Sequence, residues 1–168
     1  MRATWPRSEV AVRIDGTPFP PPAGLTSWAA FLPTPRGAML MGDTVVFQDE
    51  VGHAMDAAFA HGLDITALHN RFFFAEPKVY FVHIGGHAAA LDLARGVKAV
   101  WDAIREVRRQ YPTPASAFPG DPPAAGGQID AASIESIVGV APSVKDGVVK
   151  VSIAREAAIS GAKDRRPS

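Results

Sequence analysis

The order of hydrophobic periodicities between Ala38 and Gln110 constrains this chain more than any other feature. Residues 38–47 (AMLMGDTVVF) read as a strand interrupted at Gly42-Asp43. A glycine inside a strand marks a bulge or a close backbone approach. From Asp49 to about His61 an apolar stripe of Val51, Met55, Ala58 and Phe59 recurs at helical spacing, with Asp49 as N-cap and Gly62 as stop. Residues 63–87 read as two strands around a turn at Ala75-Glu76-Pro77. After Gly85-Gly86 a second helix runs to about Gln110 along Leu91, Ala94, Val97, Trp101, Ile104 and Val107. Strand, helix, strand, strand, helix is the core of a ferredoxin-like split βαβ arrangement, so the expected fold is α+β.

Additional N-terminal strands are expected at Glu9–Ile14, closed by Asp15-Gly16, and at Leu25–Leu32, anchored by Trp28. Tyr111–Gln128 is rich in proline and glycine and has little to bury, which describes a linker. Beyond it, Asp130 caps a short helix holding Ile134, Ile137 and Val138, and Val148–Ile153 follows a turn at Asp146-Gly147 as a strand. The expected organisation is an α+β domain over 1–110, a linker over 111–128, a helix–strand unit over 129–155 and a disordered tail over 156–168.

Composition removes several classes of function. With 17 basic and 17 acidic residues in 168, no electrostatic footprint for nucleic acid exists. No cysteine is present, so thiolate metal sites and disulfides are excluded. No apolar run is long enough to span a bilayer, and the first residues lack the apolar core of a signal peptide. The aromatic cluster Phe72-Phe73-Phe74 with Tyr80-Phe81 does not fit RNA-binding sheet signatures and is expected to pack in the core and at the sheet edge.

Chemistry concentrates in the hairpin, which carries His69, His83 and His87, three of the five histidines. If Ala75-Glu76-Pro77 is a three-residue loop, His69 lies directly opposite His83, and the two imidazoles share one face. They can then share a metal such as zinc, with Asp43, Glu50 or His87 completing a nitrogen–oxygen ligand set. A slip of one residue separates them. Alternatively His69, Arg71 and His83, all of one strand parity, form an anion-binding face, because a guanidinium binds carboxylate or phosphate. The remaining two histidines, His53 and His61, sit two helical turns apart and read as solvated. Neither a Ser-His-Asp grouping nor an HExxH motif occurs.

The segments WPRSEVAVRIDG, GLTSWAAF, MGDTVVFQDEV, ITALHNRFFFAEPKVYFVHIGG and LARGVKAVWDA, in that order, resemble the LppY/LpqO lipoprotein family (domain of unknown function 1259). That bacterial family is usually exported and often built of two tandem copies. The resemblance runs from Trp5 to Ala103, and residues 130–155 resemble the opening of a further repeat. It implies a chain that starts inside one repeat and ends inside the next, or a permuted unit whose C-terminal strand completes the first sheet. It also points to His69-Asn70-Arg71, where family members often show His-Asn-His, so Arg71 stands where a second histidine would be. Together these readings give a non-catalytic small-ligand module, binding metal or anion through His69, Asn70, Arg71, His83 and His87, of an envelope or exported protein. The alternative is a metal-dependent hydrolase-like enzyme using His69 and His83. The expected partners are a small molecule or anion, with homodimer formation open.

Overall fold

The computed structural model describes residues 1–117, 120–121 and 127–154. Two compact units divide the chain, Met1–Gly120 and Asp121–Ser168. The first contains β1 (Arg2–Pro6), β2 (Arg13–Ile14), β3 (Thr17–Pro18), β4 (Thr26–Thr34), β5 (Gly37–Phe47), α1 (Val51–Ala60), β6 (Asp64–His69), β7 (Ala75–Glu76), β8 (Val79–Ala88) and α2 (Ala90–Gln110). The α+β expectation holds. Five strands form one sheet in the order β1-β4-β5-β8-β6, every neighbouring pair antiparallel. Strand β8 therefore lies between β5 and β6, which α1 connects, and β4 from earlier in the chain takes the place beside β5.

Both faces of β5 and β8 are covered over part of their length, which is why VVF and VYFV are continuous apolar runs rather than alternating ones. On one face, Leu40, Val46, Val82 and Ile84 pack against Ala54 and Ala58 of α1 and Leu93, Val97, Val100, Trp101 and Ile104 of α2. On the other, Val45, Phe47, Val79 and Phe81 are covered by Val12, Leu25 and the flanking Ile14, Phe19 and Phe72. This cover is anchored by a small sheet of order β3-β2-β7. Burying each such aliphatic or aromatic side chain is worth about 1.5–3 kcal/mol, so the two-sided coverage holds β5 and β8 rigidly in place.

Several local expectations change. Strand β5 runs through Gly42-Asp43 without interruption. A Cβ on Gly42 would lie 2.9 Å from Ile84 Cγ1 and from the Trp28 carbonyl oxygen, so the glycine serves close packing. Of the stretch 9–14 only Arg13–Ile14 pairs as strand, because the rest crosses the sheet as cover. Helix α1 begins at Val51, after a 3-10 turn over Gln48–Glu50, and Asp49 does not cap it. The helix buries Ala54 and Ala58, while Phe59 is exposed. In α2 the buried stripe starts at Leu93 and Leu91 faces solvent. Phe72 packs as expected, but Phe73 and Phe74 are 96% and 74% exposed, at the tip of a long connection where no element covers them.

The second unit holds α3 (Ala131–Val138) and a hairpin of β9 (Ser143–Lys145) and β10 (Val148–Lys150). Asp130 caps α3 by accepting from the Ala132 N–H, and Gly139 ends it in the left-handed conformation. Asp146 and Gly147 both adopt positive φ, the geometry of a tight hairpin turn. The strand expected at 148–153 is observed over Val148–Lys150, paired with β9 in a two-stranded sheet. The expected tail at 156–168 and residues 118, 119 and 122–126 of the expected linker lie outside the described residues.

Candidate functional site

The site is built where the cover over β5 and β8 ends. Asp43 on β5 is directly paired with His83 on β8, so their side chains share a face. The His83 Nε2 lies 3.7 Å from Asp43 Oδ1. His69 enters from β6, and its Nε2 is 3.0 Å from His83 Nε2, with the two rings nearly perpendicular. Arg71, just past the end of β6, places its guanidinium 4.2 Å from the centre of the Phe81 ring and 3.7 Å from Asp43 Oδ2.

The hairpin differs from the expectation in a specific way. His69 pairs with Phe81, not with His83, and His83 pairs with Ala67. The connection between β6 and β8 is longer than three residues because Ala75–Glu76 leaves the hairpin to pair with β2. The register differs from the expected one by two residues, which preserves the face, so the imidazoles still meet as diagonal neighbours. A second irregularity is decisive. Asp64 pairs with Gly85 and Ile65 with Ile84, but Ala67 pairs with His83, leaving Thr66 as a bulge. Were Thr66 instead paired with His83 in an unbroken ladder, His69 would oppose Tyr80 and point to the helix side of the sheet.

Two groups orient the histidines. The His69 Nδ1 lies 3.2 Å from the Asn70 carbonyl oxygen, which can only accept, so Nδ1 carries the proton and Nε2 presents its lone pair. The same ring stacks on Phe81, with centroids 5.6 Å apart and planes 14° from parallel. Phe81 is thus the platform for both His69 and Arg71. Sequence reasoning missed this role, although Phe81 shares strand parity with His83. The Asn70 side chain donates weakly to the Phe72 carbonyl and stays outside the cluster.

Asp43 is the electrostatic centre. Burial pushes its carboxyl above the ordinary carboxylate range, partly opposed by His83, Arg71 and His69. Its Oδ1 is buried without a hydrogen-bond partner. Unsatisfied buried acceptors of this kind are uncommon and call for a function or an absent ligand.

Two expected ligands are elsewhere. Glu50 is fully buried and taken by a different network: Arg7 donates to both its oxygens at 2.9 and 2.8 Å, and the Phe47 N–H donates at 2.8 Å. Arg108 Nε also lies 2.6 Å from it. His87 is exposed and pairs in register with Met39, four residues beyond His83, which is roughly 13 Å along a strand. His53 is exposed on α1, and His61, also exposed, contacts the Ala57 carbonyl at the end of that helix. Among the described residues no three histidine, aspartate or glutamate side chains stand as a ready-made metal cluster. The cluster is His69, His83, Asp43 and Arg71, a pair of imidazoles flanked by one carboxylate and one guanidinium.

A family model described as Domain of Unknown Function (DUF1259) matches residues 1–103. The chain belongs to that family. The matched span contains every residue of the cluster and the whole five-stranded sheet. Searches of the curated proteins and of the solved structures found no match. No helix among the described residues is long and apolar enough to cross a membrane.

Proposed function

We propose that this member of the DUF1259 family is a non-catalytic small-ligand module whose ligand is a divalent transition metal held by His69 and His83, with Asp43 as third donor. One observation carries the reading: the two Nε2 atoms converge to 3.0 Å on a solvent-accessible face. Two nitrogens bound at 2.0–2.1 Å to one tetrahedral zinc are about 3.3 Å apart, so the pair needs only a few tenths of an ångström of adjustment. The unpartnered Asp43 Oδ1 beside His83 supports the third position. The Asn70 carbonyl on His69 Nδ1 supplies the outer partner that metal-bound histidines usually have. Elemental analysis of the purified protein tests this: stoichiometric zinc or a neighbouring metal, absent from the His69→Ala, His83→Ala double variant, is the expected result. Absence of metal in both samples after incubation with zinc refutes it.

A second reading, a metal-dependent hydrolase-like enzyme, is favoured by Asp43 alone, whose raised pKa suits a proton acceptor beside a metal-bound water. Hydrolysis of p-nitrophenyl phosphate by the zinc-loaded protein, lost on Asp43→Asn, separates the two. We also read β5-α1-β6 with β8 between them as a ferredoxin-like split βαβ core, a reading supported by the strand order. Placement in the envelope or outside the cell rests on the family resemblance, and detection of the native chain in an envelope fraction tests it.

A further inference from the structure

We infer that the His69–His83–Asp43 site takes its metal together with a small oxyanion, a carboxylate or a phosphate, held against the metal by Arg71. This deepens the metal reading above and rests on it. Three observations lead here.

The first is that Arg71 has idle donors. Among the described residues its guanidinium makes no hydrogen bond, and its nearest carboxylate contact, Asp43 Oδ2, is at 3.7 Å. A guanidinium presents five N–H donors in a planar fork that matches an oxyanion in two places at once. The fork is not adrift. Phe81 supports it from one side at 4.2 Å, and Gly24 lies alongside, where a Cβ would be in ordinary contact with Arg71 Nη1 at 3.5 Å. The donors are therefore positioned and unspent.

The second is charge. A divalent ion beside two neutral imidazoles, one carboxylate and one guanidinium leaves two positive charges uncompensated in a half-buried site. A cation placed near a fixed guanidinium is repelled, which is a poor design for a site that binds metal alone. An oxyanion between metal and Arg71 turns the repulsion into attraction on both sides. The third is access. The side chains of Arg71 and His83 are 47% and 39% exposed, so the open coordination position and the guanidinium meet the same solvent. Three protein donors leave that position free for an exogenous ligand.

Cobalt(II) titration of the whole chain, followed by its visible absorption, tests the inference in buffer alone, with inorganic phosphate and with acetate. In the wild type at least one anion is expected to tighten cobalt binding about tenfold, and by linkage cobalt tightens that anion by the same factor. Enhancement by phosphate only, or by acetate only, assigns the oxyanion class. Arg71→Gln is expected to abolish the enhancement and to bind cobalt alone more tightly than the wild type, since the neighbouring positive charge is gone. Circular dichroism confirms that the variant folds. Cobalt binding that neither anion changes, or enhancement that survives Arg71→Gln, overturns the inference and leaves the metal reading standing. Cobalt binding under none of the three conditions overturns both.

Discussion

Asp43 lies within β5 and Glu50 in the 3-10 turn that follows it, and the two acidic residues have opposite surroundings. Both Glu50 oxygens are engaged, by Arg7, the Phe47 N–H and Arg108, and Arg7 additionally donates to the Val45 carbonyl and lies over the Phe47 ring. Asp43 has two histidines and an arginine around it, yet one oxygen has no partner and neither ion pair is closer than 3.7 Å. The Glu50 network joins the start of the chain, the β5 end and α2, and its role is to hold those three together. The Asp43 cluster joins strands already held by their own ladders, so its charges are not needed for assembly. A charged group that is closed off by protein partners is architecture. One left open among half-exposed side chains is available for a ligand.

That contrast can be broken by mutation. Glu50→Ala should have the largest effect, costing about 3–5 kcal/mol in urea unfolding, because it removes the fully buried carboxylate shared by Arg7 and Arg108 and leaves each with a single, less buried carboxylate, Glu9 for Arg7 and Asp49 for Arg108. Should the loss stay below about 1 kcal/mol, the network is not the staple described. Deleting Thr66 is expected to cost less, about 1–2 kcal/mol, and to keep metal bound, because it closes the bulge while leaving Ala67 opposite His83 and His69 opposite Phe81. Metal lost in the deletion variant as completely as in His69→Ala would show that the bulge itself shapes the site. The His69→Ala, His83→Ala pair should change stability by less than about 1 kcal/mol while abolishing metal binding, since both side chains are partly exposed. A larger loss would make the cluster architectural after all.

Asp43→Asn gives the subtlest test, through pH. Burial raises the Asp43 pKa in the folded state, so the folded protein binds that proton more tightly than the unfolded chain does. The ionised group therefore lowers stability above its folded pKa, and the penalty disappears as pH falls below the ordinary carboxylate value. Asp43→Asn is expected to be neutral or slightly stabilising at pH 7 without metal, with the difference shrinking toward pH 4. Thermal unfolding across that range checks the sign. A variant less stable than wild type at pH 7 would mean that Asp43 is paired in the folded state, as Glu50 is.

Much of the architecture was legible in the residues. Helical spacing located α2, whose stripe Val97, Trp101 and Ile104 is buried as expected, and Asp130 and Gly139 marked both ends of α3. Such signals are local: spacing, caps and turns act within a few residues of themselves. The sequence also singled out His69, His83, Asp43 and Arg71, because polar groups interrupting apolar strands are visible without coordinates. It could not discard Glu50, since its partner Arg7 is 43 residues away and only the fold brings them together. Nor could it find the Thr66 bulge or the use of Ala75–Glu76 by β2. Both depend on which strands pair, a long-range choice settled by burying β5 and β8 between helices and cover. Residue chemistry alone thus determined which side chains could form a site. Tertiary structure decided that four of them stand together, because side-chain direction in a sheet reverses with every residue of register, and a single bulge sets it.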